Sequence, residues 1–148
     1  MAETMTGGCA CGRVRYSTTI QDDDAHLCHC RMCQRATGSI SIAFKVVKQA
    51  DVDWEREPEW YDSSAIALRS YCRECGTSLG FKFKEGSEHM DLTVASFDDP
   101  GRFRPVLHYG AEHIQRAWLN TEGLPEKRSD EHQPVADRWI AAAGRVPE

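Results

Sequence analysis

Apolar and polar residues alternate along several short runs of this chain, the pattern of strands with one buried face. Val14 and Tyr16 fall on one side of such a run, Arg13 and Arg15 on the other. Ile40, Ile42, Phe44 and Val46 alternate with smaller or polar residues and predict a second strand. Ala65–Tyr71 predicts a third, and Leu79–Lys84 and Met90–Val94 predict a hairpin across the turn Glu85-Gly86-Ser87-Glu88. Residues 49–64 hold Trp54, Pro58, Trp60 and Tyr61 among many charges. They read as an irregular connection with a short strand around Val52–Trp54; its aromatics could line a ligand site, but packing over a sheet edge is the better reading. Gln21-Asp22-Asp23-Asp24 reads as a solvated loop, and Asp98-Asp99-Pro100-Gly101 as a turn. Phe103–Trp118 shows no clean period and reads as extended segments and loops. Helical period is clear only near the C-terminus, over 134–143. There Pro134 suits the first turn, Val135, Trp139, Ile140 and Ala143 share a face, and Gly144 follows the end. The expected fold is mainly β, a β-rich α+β arrangement of antiparallel sheets with a short C-terminal helix.

Length and composition bound this picture. A chain of 148 residues buries roughly 68–70% of its unfolded surface, so one domain over 1–148 with a proper core is expected. A hydrophobic content of 41% with 28% charged residues fits a globular protein rather than a disordered one. The net charge of -5 argues against nucleic acid or an anionic membrane surface as partner. No apolar run reaches the roughly 18 residues that span a bilayer, so no membrane partner is expected. Met1–Gly8 lacks the basic and apolar regions of a signal peptide, which makes the cytoplasm the expected location. Nothing in the sequence speaks to oligomeric state.

The seven cysteines change the picture most, because a reducing compartment turns thiols towards metals or catalysis rather than disulfides. They fall into three clusters: Cys9 and Cys11, then Cys28, Cys30 and Cys33, then Cys72 and Cys75. Glycines around Cys9-Ala10-Cys11 let both sulfurs face one point, and Cys72-Arg73-Glu74-Cys75-Gly76 after a strand has the form of a zinc knuckle. A redox role for Cys72 and Cys75 would need a helix next; the alternating strand that follows argues against it. The most economical division is four plus three. Cys9, Cys11, Cys72 and Cys75 would close one structural site, contributing on the order of 10 kcal/mol or more of binding free energy to folding. Cys28, Cys30 and Cys33 would form a second, three-thiolate site. A rival division gives that site a fourth ligand from His26 or His29, and iron is chemically allowed at the four-thiolate site. Three thiolates on a zinc ion make it a weak acid towards water but suit it to holding a further thiol deprotonated. Arg31 and Arg35, four apart on a short helical turn, could offset sulfur charge or pair with a carboxylate.

The stretches Gly7-Gly8-Cys9-Ala10-Cys11-Gly12, Cys28-His29-Cys30-Arg31-Met32-Cys33-Gln34-Arg35-Ala36-Thr37-Gly38 and Tyr71-Cys72-Arg73-Glu74-Cys75-Gly76 resemble the glutathione-dependent formaldehyde-activating enzyme family, also called GFA or centromere-protein-V domains. The resemblance covers about residues 5–125, including His113-Ile114, Trp118 and Gly123-Leu124-Pro125. It implies a mainly antiparallel β fold with two zinc ions, one structural on Cys9, Cys11, Cys72 and Cys75 and one at Cys28, Cys30 and Cys33. It also implies a carbon–sulfur lyase of the S-(hydroxymethyl)glutathione synthase type, with glutathione as co-substrate and formaldehyde or another small electrophile as acceptor. Gln34, Arg35 and Thr37 become candidate glutathione contacts; Tyr109, His113, Gln34 and Arg35 become candidate proton donors or carboxylate clamps. For His113 alone a structural role is the better reading. The alternative is a non-catalytic zinc-stabilised module that binds thiol adducts, protein or nucleic acid.

Overall fold

A computed structural model describes residues 2–147, and they form a mainly β protein. Ten strands make two sheets. The smaller has the order β1-β2-β5, from β1 (Glu3–Gly8), β2 (Arg15–Ile20) and β5 (Val52–Trp54). The larger is built from β3 (Asp24–Cys28), β4 (Ile42–Lys48), β6 (Glu59–Asp62), β7 (Ala67–Tyr71), β8 (Ser78–Phe83), β9 (His89–Thr93) and β10 (Arg104–Tyr109), in the order β10-β3-β4-β9-β8-β7-β6. Among the described strands all pairings are antiparallel except β10 with β3, which is parallel. The chain divides into two compact units, one through Gln115 and one from Arg116.

Within the first unit the core lies between the sheets. Tyr16, fully enclosed, meets Trp54 and Phe97 edge-to-face at 5.3 and 5.5 Å, and Met90, Leu92 and Val47 pack in from the larger sheet. Trp54 and Trp60 pack against this core, as expected of aromatics over a sheet edge. The run 59–62, expected to be irregular, is strand β6, pairing with β7 from Glu59↔Tyr71 to Asp62↔Leu68. The acidic loop before β3 is not simply solvated. Asp22 receives the ammonium of buried Lys45 at 2.6 Å and Asp23 receives Arg102 at 2.8 Å. A buried lysine needs such a partner, and Lys45 in turn lowers the pKa of Asp22.

Strand register decides which side chains share the other face of the larger sheet. Directly opposed residues point the same way, and Val46↔Asp91↔Phe81↔Arg69 is one continuous row across β4, β9, β8 and β7. His26↔Phe44 extends the same face onto β3. Between β3 and β4 a short helix, α1 (Arg31–Thr37), ends on Gly38, whose φ of 73° is the left-handed conformation of a helix stop.

The second unit holds α2 (Arg116–Leu119), a 3-10 turn at Ser129–Glu131 and α3 (Gln133–Ala143). The predicted C-terminal helix is there, with proline in its first turn and Gly144 at its end. Of its sides, Ala136 is buried, whereas Trp139 and Ile140 remain exposed.

Candidate functional site

Two groups of cysteine sulfurs come together, each within 4.8 Å: Cys9, Cys11, Cys72 and Cys75, and Cys28, Cys30 and Cys33. The four-cysteine group joins the loop after β1 to the loop after β7, residues far apart in the chain. Its Cys9–Cys11 and Cys11–Cys72 sulfur separations are 3.6 and 3.8 Å. A tetrahedral ion with metal–sulfur bonds near 2.3 Å sets its ligands roughly 3.8 Å apart, so the residues fit a metal. Backbone Val14 N–H donates to the Cys9 sulfur at 3.2 Å. Proton sharing among the thiols is uneven. Hydrogen bonds from the Thr77 side chain and backbone pull Cys75 down to about 5. Cys11, despite a backbone N–H from Arg13, is pushed up to about 11 by burial and by its sulfur neighbours. A shared cation is the chemistry that lets four crowded sulfurs be thiolates together.

The three-cysteine group is assembled by β3, α1 and β10. Strand β3 delivers Cys28 at its end, where it pairs with Ile42 on one side and Tyr109 on the other. Cys30 is the N-cap of α1: its extended backbone (φ −61°, ψ 147°) turns its sulfur back to accept the Cys33 N–H at 3.2 Å. The cap therefore places two of the three sulfurs on one side of the first turn. Gly110, after β10, has φ 62°, and a Cβ there would lie 2.6 Å from the Cys30 backbone nitrogen. Only glycine allows β10 to run on so closely against the cluster.

Arg69 completes the group from β7. It is 4% exposed, and its guanidinium donates to the Cys33 sulfur at 3.1 Å while lying over the Phe81 ring at 5.0 Å. The hydrogen bond with Cys33 lowers the Cys28 pKa, whereas that same contact and burial raise Cys33. Here too three thiols contend for charge that a cation would settle. Among the described residues no histidine, aspartate or glutamate joins this group. His29, fully buried, is turned elsewhere: Nδ1 meets Ser41 Oγ at 2.9 Å and Nε2 meets His108 Nδ1 at 2.8 Å. His26 is buried too, its ring edge-on to Tyr109 at 4.8 Å, and burial lowers its pKa.

The other motif residues divide by role. Gln34 is buried, takes a hydrogen bond from Arg31 at 2.6 Å, and donates to the carbonyls of Ile40 (3.0 Å) and His113 (3.4 Å). It pins the loop around α1. Thr37 Oγ1 donates to the Cys33 carbonyl at 2.7 Å and caps the helix end. Arg35 is exposed and, among the described residues, forms no ion pair. His113 contributes its carbonyl rather than its exposed ring to these contacts.

A groove of about 430 Å3 runs from the three cysteines along the sheet face carrying Phe44, Val46, Phe81 and Phe83. Its walls are mainly apolar. Asp91 lies in it beside Phe81, and burial pushes its carboxyl up to about 7 against the opposing influence of Arg69. Arg69 and Asp91 escaped sequence reading because each stands in an ordinary alternating strand. For Arg69 the visible signal was a charge in phase with Ala67 and Tyr71; Asp91 stood in the polar phase of its strand, between Met90 and Leu92, and gave none.

A mainly β fold with two cysteine clusters able to hold metal defines the class. Residues 4–113 match the family described as glutathione-dependent formaldehyde-activating enzyme, and the chain belongs to that family. An uncharacterized lyase of Schizosaccharomyces pombe is 30% identical over 80 residues, covering 54% of this chain and 58% of that protein. The RNA-directed RNA polymerase 2a of Cowpea chlorotic mottle virus is 30% identical over 86 residues, 58% of this chain but 10% of the polymerase. The chain thus spans less than two thirds of these relatives. A solved Rhodobacter sphaeroides protein shares the fold, with a TM-score of 0.58 at 23% identity over 70% of this chain and 99% of that one. No described helix is long and apolar enough to cross a membrane.

Proposed function

We propose that this chain is a lyase-type enzyme that adds a thiol, glutathione by the family's name, to formaldehyde or another small aldehyde. One observation carries the reading: Cys28, Cys30 and Cys33 converge at the end of a groove with no fourth ligand among the described residues, and Arg69 donates to Cys33. A zinc ion held by these three sulfurs would supply the positive centre that lowers the pKa of an incoming thiol. A second zinc on Cys9, Cys11, Cys72 and Cys75 would serve the fold.

The chain's own residues supply the rest. Arg69 spreads positive charge onto the cluster, and Phe81 beneath it keeps the guanidinium in place. The apolar walls limit water near the forming carbon–sulfur bond. Addition moves the thiol proton to the carbonyl oxygen. Tyr109, paired in register with Cys28, and His26, two residues before it, adjoin the cluster and are positioned to carry that proton. Arg35, free of acidic partners, is the motif residue suited to a glutathione carboxylate. The cytoplasm remains our expectation for its location.

The test is the exchange rate between formaldehyde, glutathione and their adduct, measured by NMR with the metal-loaded protein. A rate above the uncatalysed one, lost in Cys30→Ser, is expected. Equal rates with and without protein would refute the reading.

A further inference from the structure

The groove is far larger than formaldehyde requires. A molecule little bigger than water, whose share of liquid volume is about 30 Å3, fills on the order of a tenth of its roughly 430 Å3. That capacity falls within the roughly 300–1,000 Å3 of sites that enclose drug-sized ligands. Its walls also keep large apolar groups in solvent around the cluster: Met32 is 56% exposed, Val46 44%, Ile66 62% and Phe83 46%. Strand alternation does not demand apolar residues at exposed positions, and such a patch beside a reactive site marks a binding surface.

The glutathione backbone is a poor match for these walls, because its two carboxylates call for cations. The cationic side chains along the groove are occupied elsewhere. Arg69 is engaged by Cys33 and Phe81, and the Lys82 ammonium sits 4.1 Å over the Trp60 ring. The apolar wall therefore suits the other reactant.

We infer that the electrophile is an aldehyde bearing an apolar group, aromatic or branched aliphatic, which lies against Phe44, Val46, Ile66, Phe81 and Phe83 while its carbonyl carbon meets the thiol at the cysteine cluster. This rests on the thiol-addition reading of the site. The step balances without any oxidant. The thiol sulfur forms a bond to the carbonyl carbon, the carbonyl π pair moves to oxygen, and the thiol proton ends on that oxygen as a hydroxyl.

The test uses calorimetric binding of S-benzylglutathione and S-methylglutathione to the metal-loaded full chain, alongside turnover of phenylacetaldehyde and formaldehyde with glutathione. The benzyl compound is expected to bind about tenfold tighter or more, and Ile66→Asp, an exposed position, is expected to remove that difference. Equal binding of the two, tighter binding of the methyl compound, or no binding of either overturns the inference. Equal binding with formaldehyde turned over leaves the thiol-addition reading standing and removes only the apolar substrate. Tighter benzyl binding with neither aldehyde consumed removes the thiol-addition reading and the apolar aldehyde with it.

Discussion

Arg69 reaches from the middle of β7 to the sulfur of Cys33 on α1, 3.1 Å away, and almost none of it is exposed. A buried guanidinium on a sulfur favours thiolate over thiol, so it tunes the cluster without touching a metal itself. Arg69→Met is expected to weaken metal binding at Cys28, Cys30 and Cys33 by about 10–100-fold, the usual effect of losing such a partner. Competition with a chelator checks this, and the four-cysteine site serves as an internal control that should not move.

Gly110 is expected to be almost as sensitive, though it carries no chemistry. Alanine there would have to hold φ near 62° and push the Cys30 backbone aside. Left-handed alanine alone costs on the order of 1–3 kcal/mol. Gly110→Ala should lower the melting temperature and loosen metal at the three-cysteine site first, read by thermal unfolding together with metal content.

Asp91 gives a pH signature. Its folded pKa, pushed up to about 7 by burial, lies above the ordinary 3.8. The folded state therefore binds that proton more tightly than the unfolded one, and stability from this group is lost as pH rises from about 4 through 7. Asp91→Asn removes the penalty. Its stability relative to wild type should improve by about 1–2 kcal/mol more at pH 8 than at pH 5, allowing for Arg69 and for water in the groove. Denaturant titrations of both proteins at both pH values decide it; a gain independent of pH would contradict the assignment.

Cys72 is fully buried and ties β7 to the N-terminal loop. Cys72→Ser should cost the chain its cooperative unfolding, because a metal held by the four-cysteine site would add its binding energy to the fold. Circular dichroism melts before and after chelation would show wild type converging on the variant.

The strands with strict alternation were legible in the sequence: Val46 and Phe44 on β4, Phe81 on β8 and Leu92 on β9 all follow period two. Cysteine spacing made both clusters legible, because a knuckle is a local object. Strands β1 and β3 were not, since Thr4, Thr6 and Asp24 dilute the pattern and pairing partners supply the order. Strand β10 carries Pro105 and is exposed throughout, so only its parallel pairing with β3 defines it. Gln34 and Thr37 stood out as motif residues, but the motif could not say that their polar groups face inward to carbonyls. Arg69 and Asp91 required the register itself, which sets residues from separate strands in one row.

We propose that Cys28, Cys30 and Cys33 form a metal site separate in role from the four-cysteine one. Native mass spectrometry of wild type and Cys30→Ser, with thiol–aldehyde exchange measured on the same samples, tests it most directly. Two zinc ions per wild-type chain are expected. One is expected in Cys30→Ser, with folding retained and exchange reduced to the uncatalysed rate. A single zinc in wild type, or a Cys30→Ser protein that keeps both ions and full exchange activity, would contradict it.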